Sequence, residues 1–358
     1  MVVGNKSKRN MDERIKKQNN QLDSSAGNVT LVDIASRAGV SQSTVSRVIN
    51  KPHLVHRGTT ERVRHIMQEI GYVVPKSETS INATTIGVSL PDISDPFFTM
   101  LLKGIVDGAY YRNIMTSLLS GGNSSQIQAV GIERFIAGGM DALIVVPVSS
   151  EECFPRELES HSVPIIYLDR IPRKKPSYSV VCDDYEGALQ ATQYLLSMGH
   201  RSIAYIGGDT DLSTERERLA GYKAAIEMAG LDPIPELIHE QSFDQEMILK
   251  LDCGALLAGQ SFTAVFAAND NLAVSVHKWI QKQGLRVPED VSVMGYNDMP
   301  FSRHLGLSTV SSPAYEMGKN AVLLVQAVIE QRVLEVHQIV LKPRVLIRSS
   351  CAPPRSNR

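Results

Sequence analysis

Residues 30–50 read TLVDIASRAGVSQSTVSRVIN and decide how the rest of the chain is read. Thr30 with Asp33 three residues on is a capping-box start. Leu31, Ile34, Ala35 and Ala38 then share one face of a first helix. Gly39 ends it, because glycine enters the left-handed turn without a steric penalty. Val40 plugs the corner, and Ser41 caps a second helix that runs to about Asn50. In that helix Val45, Val48 and Ile49 point inward, which leaves Gln42, Ser43, Thr44, Ser46, Arg47 and Asn50 on or near the other side. Such a face suits the major groove: Arg forks onto guanine, Gln or Asn onto adenine, and hydroxyls and backbone amides hold phosphates. The competing reading is a plain helical hairpin whose polar side meets water. The pattern is read here as a helix-turn-helix, with Thr30, Leu31, Ser41, Gln42, Ser43, Thr44, Ser46, Arg47 and Asn50 as candidate DNA contacts.

A third helix is expected over 59–70, where Val63, Ile66, Met67 and Ile70 would complete a three-helix core. Gly71-Tyr72 closes the segment. From Val29-Thr30-Leu31 through V-S-x-S-T-V-S-R-V-x-N to Gly71-Tyr72, the block resembles the DNA-binding head of the LacI/GalR repressor family. The resemblance implies a homodimer that reads a palindromic site in double-stranded operator DNA, and a body that binds a small-molecule effector.

At 358 residues the chain is long enough for a small head and a two-lobed body. Its 43% hydrophobic and 21% charged residues suit a globular protein with large cores. No apolar run approaches the ~20 residues of a membrane span. The basic N-terminus has no apolar h-region, so no secretory signal and a cytoplasmic location are expected. The net charge of −1 hides an asymmetry: residues 1–75 carry 12 Lys/Arg against 6 Asp/Glu, and the remainder 25 against 32. That division directs a basic head toward a polyanion and keeps an acidic body away from it. Cys153, Cys182, Cys253 and Cys351 are scattered, which points to reduced thiols rather than disulfides or a zinc site. Residues 1–28, rich in Asn, Gln, Lys and Ser, are expected to be a disordered basic extension, with Met11 as a candidate start.

The head is expected to span 29–72, a linker 73–85, the effector-binding and dimerisation body 86–350, and a tail 351–358. In the resembled family the linker carries Pro-Asn followed by Ala and Leu, forms a hinge helix on DNA and inserts leucine into the minor groove. Here Pro75 precedes Lys76, no leucine is present, and Thr84-Thr85 favours extended chain. Minor-groove wedging is therefore not expected.

Beyond residue 85, strand-like runs (86–90, 115–119, 142–146, 165–168, 179–182, 203–206, 264–267 and 291–295) are separated mostly by helical patterns. These fall at 98–111, 126–137, 185–198, 215–229 and 272–283. Apolar strands alternating with helices imply parallel sheets covered on both faces. Two such sets give two doubly wound lobes, with helix 315–331 and strands near 339–348 crossing back between them. The body resembles the periplasmic-binding-protein-like core of the same family. Ligands in such folds bind beyond the carboxyl ends of the strands, here between the lobes.

The resemblance supplies candidate effector contacts. Phe97 and Phe98 of D-P-F-F match an apolar wall, core packing being the alternative for Phe98. Asp169, ending I-I-Y-L-D, would accept sugar hydroxyls or cap the next turn. Arg216 in E-R-E-R-L-A-G-Y matches an arginine that reaches into the cleft, with a surface ion pair as the alternative and Arg218 expected to point elsewhere. Phe243 matches a stacking ring or plain packing. Asn269 would donate to and accept from a hydroxylated ligand while Asp270 caps the following helix. Asn297 stands where many relatives have Asp, which leaves room for a sugar acid or sugar phosphate.

No G-x-S-x-G, Walker, H-E-x-x-H or G-x-G-x-x-G motif is present, and no enzyme, cofactor or metal site is expected. His200 is read as structural. The sequence is read as a sequence-specific transcriptional regulator, a repressor controlled by a sugar or sugar derivative. A corepressor-dependent or purine-responsive regulator is the alternative within the fold. A sugar-transport protein would share the body but require export and no head.

Overall fold

In the head, helix α1 (Leu31–Ala38) begins on the expected capping box. Thr30 Oγ1 accepts from Asp33 N at 3.3 Å, and Asp33 Oδ2 accepts from Thr30 N at 2.8 Å. These bonds hold the Asp33 carboxyl below its ordinary range. Gly39 ends the helix at φ +62°. Ser41 Oγ accepts from Thr44 N at 3.2 Å, at the start of α2 (Gln42–Asn50). Helix α3 (Arg57–Glu69) starts two residues before its expected position. Ile34, Ala35, Ala38, Val45, Val48, Val63 and Met67 form the buried centre.

This computed structural model describes residues 30–50, 55–70, 72, 84–150, 163–173, 178–240, 261–330 and 337–355, without the side chains of Arg47, Asn50 and Arg57. The head and the body are separate compact units. The expectations for residues 1–28, for linker residues 73–83, and for Cys153, Phe243 and Cys253 lie outside the described residues. Among the described residues no helix is long and apolar enough to cross a membrane.

The first lobe of the body contains β1 (Thr84–Leu90), α4 (Pro96–Tyr110), β2 (Ile114–Ser120), α5 (Ser125–Ala137), β3 (Ala142–Val145), β4 (Ile165–Leu168) and β5 (Tyr178–Cys182). The second contains α6 (Asp184–Ser197), β6 (Ile203–Gly207), α7 (Ser213–Met228), β7 (Ile238–Glu240), β8 (Ala264–Ala267), α8 (Asp270–Lys282), β9 (Ser292–Tyr296), α9 (Pro300–His304) and β10 (Ser308–Ser311). Helix α10 (Ala314–Ile329) and β11 (Gln338–Leu341) return to the first lobe, and β12 (Arg344–Leu346) to the second. The first sheet runs β11-β5-β4-β3-β1-β2, all parallel. The second runs β12-β10-β9-β8-β6-β7, parallel except where β12 pairs antiparallel with β10. Central strands such as β3 (ALIV) and β8 (AVFA) are buried throughout, as sheets covered on both faces require.

The chain passes between lobes at Asp183, at Ser312-Pro313 and at Lys342-Pro343. Two close helix contacts anchor the chain just beyond the first two crossings. A Cβ on Gly221 of α7 would strike the Tyr185 carbonyl of α6, and one on Gly104 of α4 would strike the Tyr315 carbonyl of α10. Glycine at these positions lets backbone meet backbone. Lys342 Nζ donates to Asp183 Oδ2 at 2.7 Å, tying two of the crossings together.

Three expectations are corrected. Thr84 and Thr85, assigned to the linker, open β1, where Thr85 N donates to Asp141 Oδ2 at 2.7 Å. Strands β7 and β10 were not expected, because β7 is a three-residue edge and β10 (STVS) looks polar. The buried polar groups of β10 are satisfied inside the protein: Ser308 N donates to Ser350 Oγ at 2.8 Å and Thr309 Oγ1 to Asp270 Oδ1 at 2.6 Å. Residues 351–355, assigned to the tail, include Ala352, whose carbonyl accepts from Ser292 Oγ at 2.9 Å and lies 3.0 Å from His200 Nε2. His200 is buried, as a structural role requires. Cys182 and Cys351 are free thiols.

Candidate functional site

On the head, Ser41, Gln42 and Ser43 are exposed at the start of α2, and Thr44 and Ser46 are half-buried. Ser41 Oγ lies 2.8 Å from both Ser43 Oγ and Thr44 Oγ1, so the three hydroxyls form one polar patch at the helix N-terminus. Such a terminus presents backbone N–H groups suited to phosphate. Val45 and Val48 are buried against α1 and α3, which fixes the opposite face outward. Leu31 packs on the same core, and the Thr30 hydroxyl donates to Asp33 Oδ2 at 2.7 Å. The backbone of Arg47 and Asn50 lies in α2, while their side chains are outside the description.

Between the lobes a small cavity, partly open to solvent, is lined from both sides. The first lobe contributes Asp95, Phe97, Phe98, Asp169 and Arg170, and the second Thr214, Glu215, Arg218, Asn269, Asp270, Asn271, Asn297 and Met299. Asp95 Oδ1 accepts from Phe97 N at 2.8 Å and so caps α4. Phe97 and Phe98 meet edge to face, with centroids 5.4 Å apart, and the Arg170 guanidinium lies 5.4 Å over the Phe98 ring.

Asp169 takes a left-handed backbone, φ +67°, where β4 ends. That conformation is uncommon for a residue with a Cβ and clusters at functional sites. Its side chain is buried, with Oδ2 3.6 Å from Arg170 Nε. Asp169 Oδ1 and Arg170 Nε make no hydrogen bond to any described residue. Burial pushes the Asp169 carboxyl up to about 7, against the pull of Arg170.

Arg218, rather than Arg216, reaches the cavity. Its Nε donates to Asp184 Oδ1 at 2.8 Å and its Nη1 to the Ala268 carbonyl at 2.9 Å, and its guanidinium lies 4.0 Å over the Tyr296 ring. Glu215 Oε2 accepts from Gly208 N at 2.8 Å. Arg216 is exposed, and its Nη1 donates to the carbonyls of Thr210 and Asp211, each at 3.2 Å. Helical phase explains the correction: Glu215, Arg218, Leu219 and Tyr222 share the buried face of α7, and Arg216 lies off it. The buried positions of Leu219 and Tyr222 carried that signal in the sequence.

The cap of α8 falls to Asn269 rather than, as expected from the sequence, to Asp270. Asn269 Oδ1 caps α8 by accepting from Leu272 N at 2.9 Å, and Asn269 also lines the cavity. Asp270 is buried and accepts from Met299 N at 2.7 Å, Ser302 Oγ at 2.6 Å and Thr309 Oγ1 at 2.6 Å. Burial raises its carboxyl to about 6, although these three bonds favour the ion. Asp270 thus pins the turn carrying Asn297, itself at φ +99°, with Ser312 Oγ donating to Asn297 Oδ1 at 3.3 Å. Asp95, Arg170, Thr214, Glu215, Arg218, Asp270, Asn271 and Met299 were not expected in the lining. Among the described residues there is no His, Cys, Asp and Glu group arranged to hold a metal ion.

Comparison with known proteins places the chain among bacterial transcriptional regulators. Residues 30–74 match the family "Bacterial regulatory proteins, lacI family", and residues 192–351 match a periplasmic binding protein-like domain. The ribose operon repressor of Haemophilus influenzae is 32% identical over 337 residues, spanning 90% of this chain and 98% of the relative. The transcriptional repressor PurR of Vibrio atlanticus is 29% identical over 332 residues, with the same coverage. The transcriptional regulator CelR in complex with cellobiose shares the fold at a TM-score of 0.69 and 30% identity, covering 90% of this chain and 99% of that one. These relatives are transcriptional regulators rather than enzymes. The chain belongs to the lacI family of bacterial regulatory proteins and is a DNA-binding transcriptional regulator with an effector-binding body.

Proposed function

We propose that the chain is a cytoplasmic homodimeric repressor whose paired heads read a palindromic operator and whose cleft binds a neutral sugar. The head is assigned to 29–72, with Gln42, Ser43 and Arg47 on base edges and Thr30, Leu31, Ser41, Thr44, Ser46 and Asn50 supporting phosphate or base contacts. Effector contacts are assigned to Phe97, Phe98, Asp169, Arg170, Asn269, Asn297 and Arg218. Regulation, not catalysis, is the assigned activity.

The observation that carries the effector class is the adjacent pair of Asp169 Oδ1 and Arg170 Nε, both buried and without a hydrogen bond among the described residues. An acceptor and a donor side by side match vicinal hydroxyls, each of which donates and accepts. Leaving such groups buried without partners is costly, so a ligand that satisfies both is selected. Four lining carboxylates, Asp95, Asp169, Glu215 and Asp270, face two lining arginines. That balance opposes a sugar acid or sugar phosphate, and Arg216, the cation that would have favoured one, lies off the cavity face. The ribose operon repressor and the cellobiose-bound CelR among the relatives also favour a sugar.

A thermal-shift panel of D-ribose, D-glucose, cellobiose, ribose 5-phosphate, gluconate and hypoxanthine tests this. A neutral sugar should stabilise the protein and lose that effect in Asp169→Asn, while the anions do nothing. Stabilisation by hypoxanthine alone would replace the sugar reading with the purine one.

A further inference from the structure

Beside the cavity, a second set of contacts joins the lobes without lining it. Ser150 follows β3 and Arg173 follows β4 in the first lobe, while Asp211 lies between β6 and α7 in the second. Asp211 Oδ2 accepts from Ser150 N at 3.0 Å, and Oδ1 accepts from Ser150 Oγ and from Arg173 Nη2, the latter at 3.1 Å. Arg173 Nε donates to Ser150 Oγ at 3.0 Å, and Arg173 N to the Ser150 carbonyl at 2.9 Å, so the first-lobe half of the contact is itself tied together. One further bond crosses nearby, from Ile171 N to Ser213 Oγ at 3.0 Å. Ile171 and Ser213 each adjoin a lining residue, Arg170 and Thr214.

On the second lobe the same loop is braced from behind. Asp211 N donates to Asp209 Oδ1 at 2.8 Å, and Arg216 holds the Thr210 and Asp211 carbonyls. This is the work of the motif arginine that the cavity does not use. The bonds from Ser150 keep the Asp211 carboxyl below its ordinary range, so it stays a carboxylate at neutral pH. Every bond from the first lobe to Asp211 spans the two lobes, so parting the lobes breaks it.

We propose that Asp211 is a latch: braced by Arg216 and clasped by Ser150 and Arg173, it holds the lobes closed and sets how firmly the neighbouring cavity keeps an effector that Asp211 does not touch. Apparent affinity scales with the fraction of molecules in the binding-competent state, so a residue that biases closure acts as a positioning residue for the ligand. The effector part rests on the sugar reading above; the closure part does not.

The test uses the full chain and two readouts. The first, without ligand, is hydrogen exchange at Ile171 N, whose own acceptor, Ser213 Oγ, is left intact by Asp211→Ala. Exchange at Ile171 should accelerate by ~10-fold, the scale of one lost charge-assisted hydrogen bond, while buried α4 amides keep their protection. The second takes D-ribose as the probe: Asp211→Ala should raise its Kd by about the same factor through faster dissociation, with association unchanged. Arg173→Ala, at an exposed side chain, should shift both readouts the same way by a smaller factor and guards against a folding defect in the first variant. Unchanged Ile171 protection in both variants would overturn the latch. Failure of the unsubstituted chain to bind D-ribose, D-glucose or cellobiose would count against the sugar reading, and Ile171 exchange would still decide the latch.

Discussion

Arg218 on α7 donates to Asp184 Oδ1 across 2.8 Å; both side chains are buried, and Asp184 opens α6 directly after the first crossing between lobes. Arg218 lines the cavity, and Asp184 holds it there from outside the lining. Removing one partner of a buried pair leaves the other charge uncompensated, at a cost of ~3–5 kcal/mol. Arg218→Ala should therefore lower the unfolding free energy of the body by that order in urea titrations and abolish effector binding. Arg216→Ala should change stability by no more than ~0.5 kcal/mol, as an exposed side chain does. Equal effects of the two substitutions would contradict the assignment of Arg218 to the cavity.

Asp169 makes effector binding proton-linked. Its carboxyl, raised to about 7 by burial, is faced by Arg170 and Arg218, which favour the ion, and by Asp184 and Glu215, which oppose it. A group raised above its unfolded value binds protons more readily in the folded state, so its contribution to stability falls as pH rises from about 4 to about 7 and is flat above. Sugar hydroxyls donating to Oδ1 favour the carboxylate, so binding should release a proton below pH 7 and tighten as pH approaches 7. Calorimetry at pH 6 in buffers of different ionisation enthalpy reads this directly. No proton release at pH 6 would contradict a direct contact between Asp169 and the ligand.

Asp270→Asn should destabilise the second lobe, because an amide puts N–H where Met299 N or Ser302 Oγ now donates. The expected cost is ~2–4 kcal/mol, that of mismatched bonds to a buried charged acceptor. Because Asp270 also pins the turn bearing Asn297, effector affinity should fall as well, even at temperatures where the variant is folded. Chemical denaturation paired with ligand titration separates the two effects.

How much of this was legible in the sequence depended on whether a local pattern sufficed. The head was nearly complete in 30–50, since the Thr30–Asp33 capping box, the Gly39 turn and the Val45–Val48 face are each decided by neighbours a few residues apart. Strands such as β4 and β8 were legible for a similar reason, being continuous apolar runs. Strand β10 was not, because the Ser308 and Thr309 hydroxyls are satisfied by Arg348 N and Asp270, partners remote in sequence. The cavity was legible at Phe97, Asp169 and Asn269, which end or follow clear strands. It was misread at Arg216 and Arg218 because the resemblance, not helical phase, chose Arg216, whereas the apolar Leu219 and Tyr222 put Arg218 on the buried face.

On the head, Arg47→Ala should cost ~1–3 kcal/mol of operator affinity and relax preference at one base position, as loss of a bidentate base contact does. Selection from a randomised duplex library with both proteins measures it. Unchanged preference would move base reading away from the centre of α2. Affinity should also fall steeply with salt, because phosphate contacts supply much of it.

The central claim is that a sugar in the cleft changes operator affinity, and fluorescence anisotropy of the full chain on a selected palindromic duplex tests it most directly. The titration is run against a shuffled duplex and repeated with saturating sugar from the thermal-shift panel. The account requires binding to the palindrome at least ~10³-fold tighter than to the shuffled sequence. It also requires a shift of ~5-fold or more on adding the sugar, the lower range of allosteric coupling, lost in Arg218→Lys. Equal affinity for both duplexes, or a saturating sugar that leaves operator binding unchanged, would contradict it.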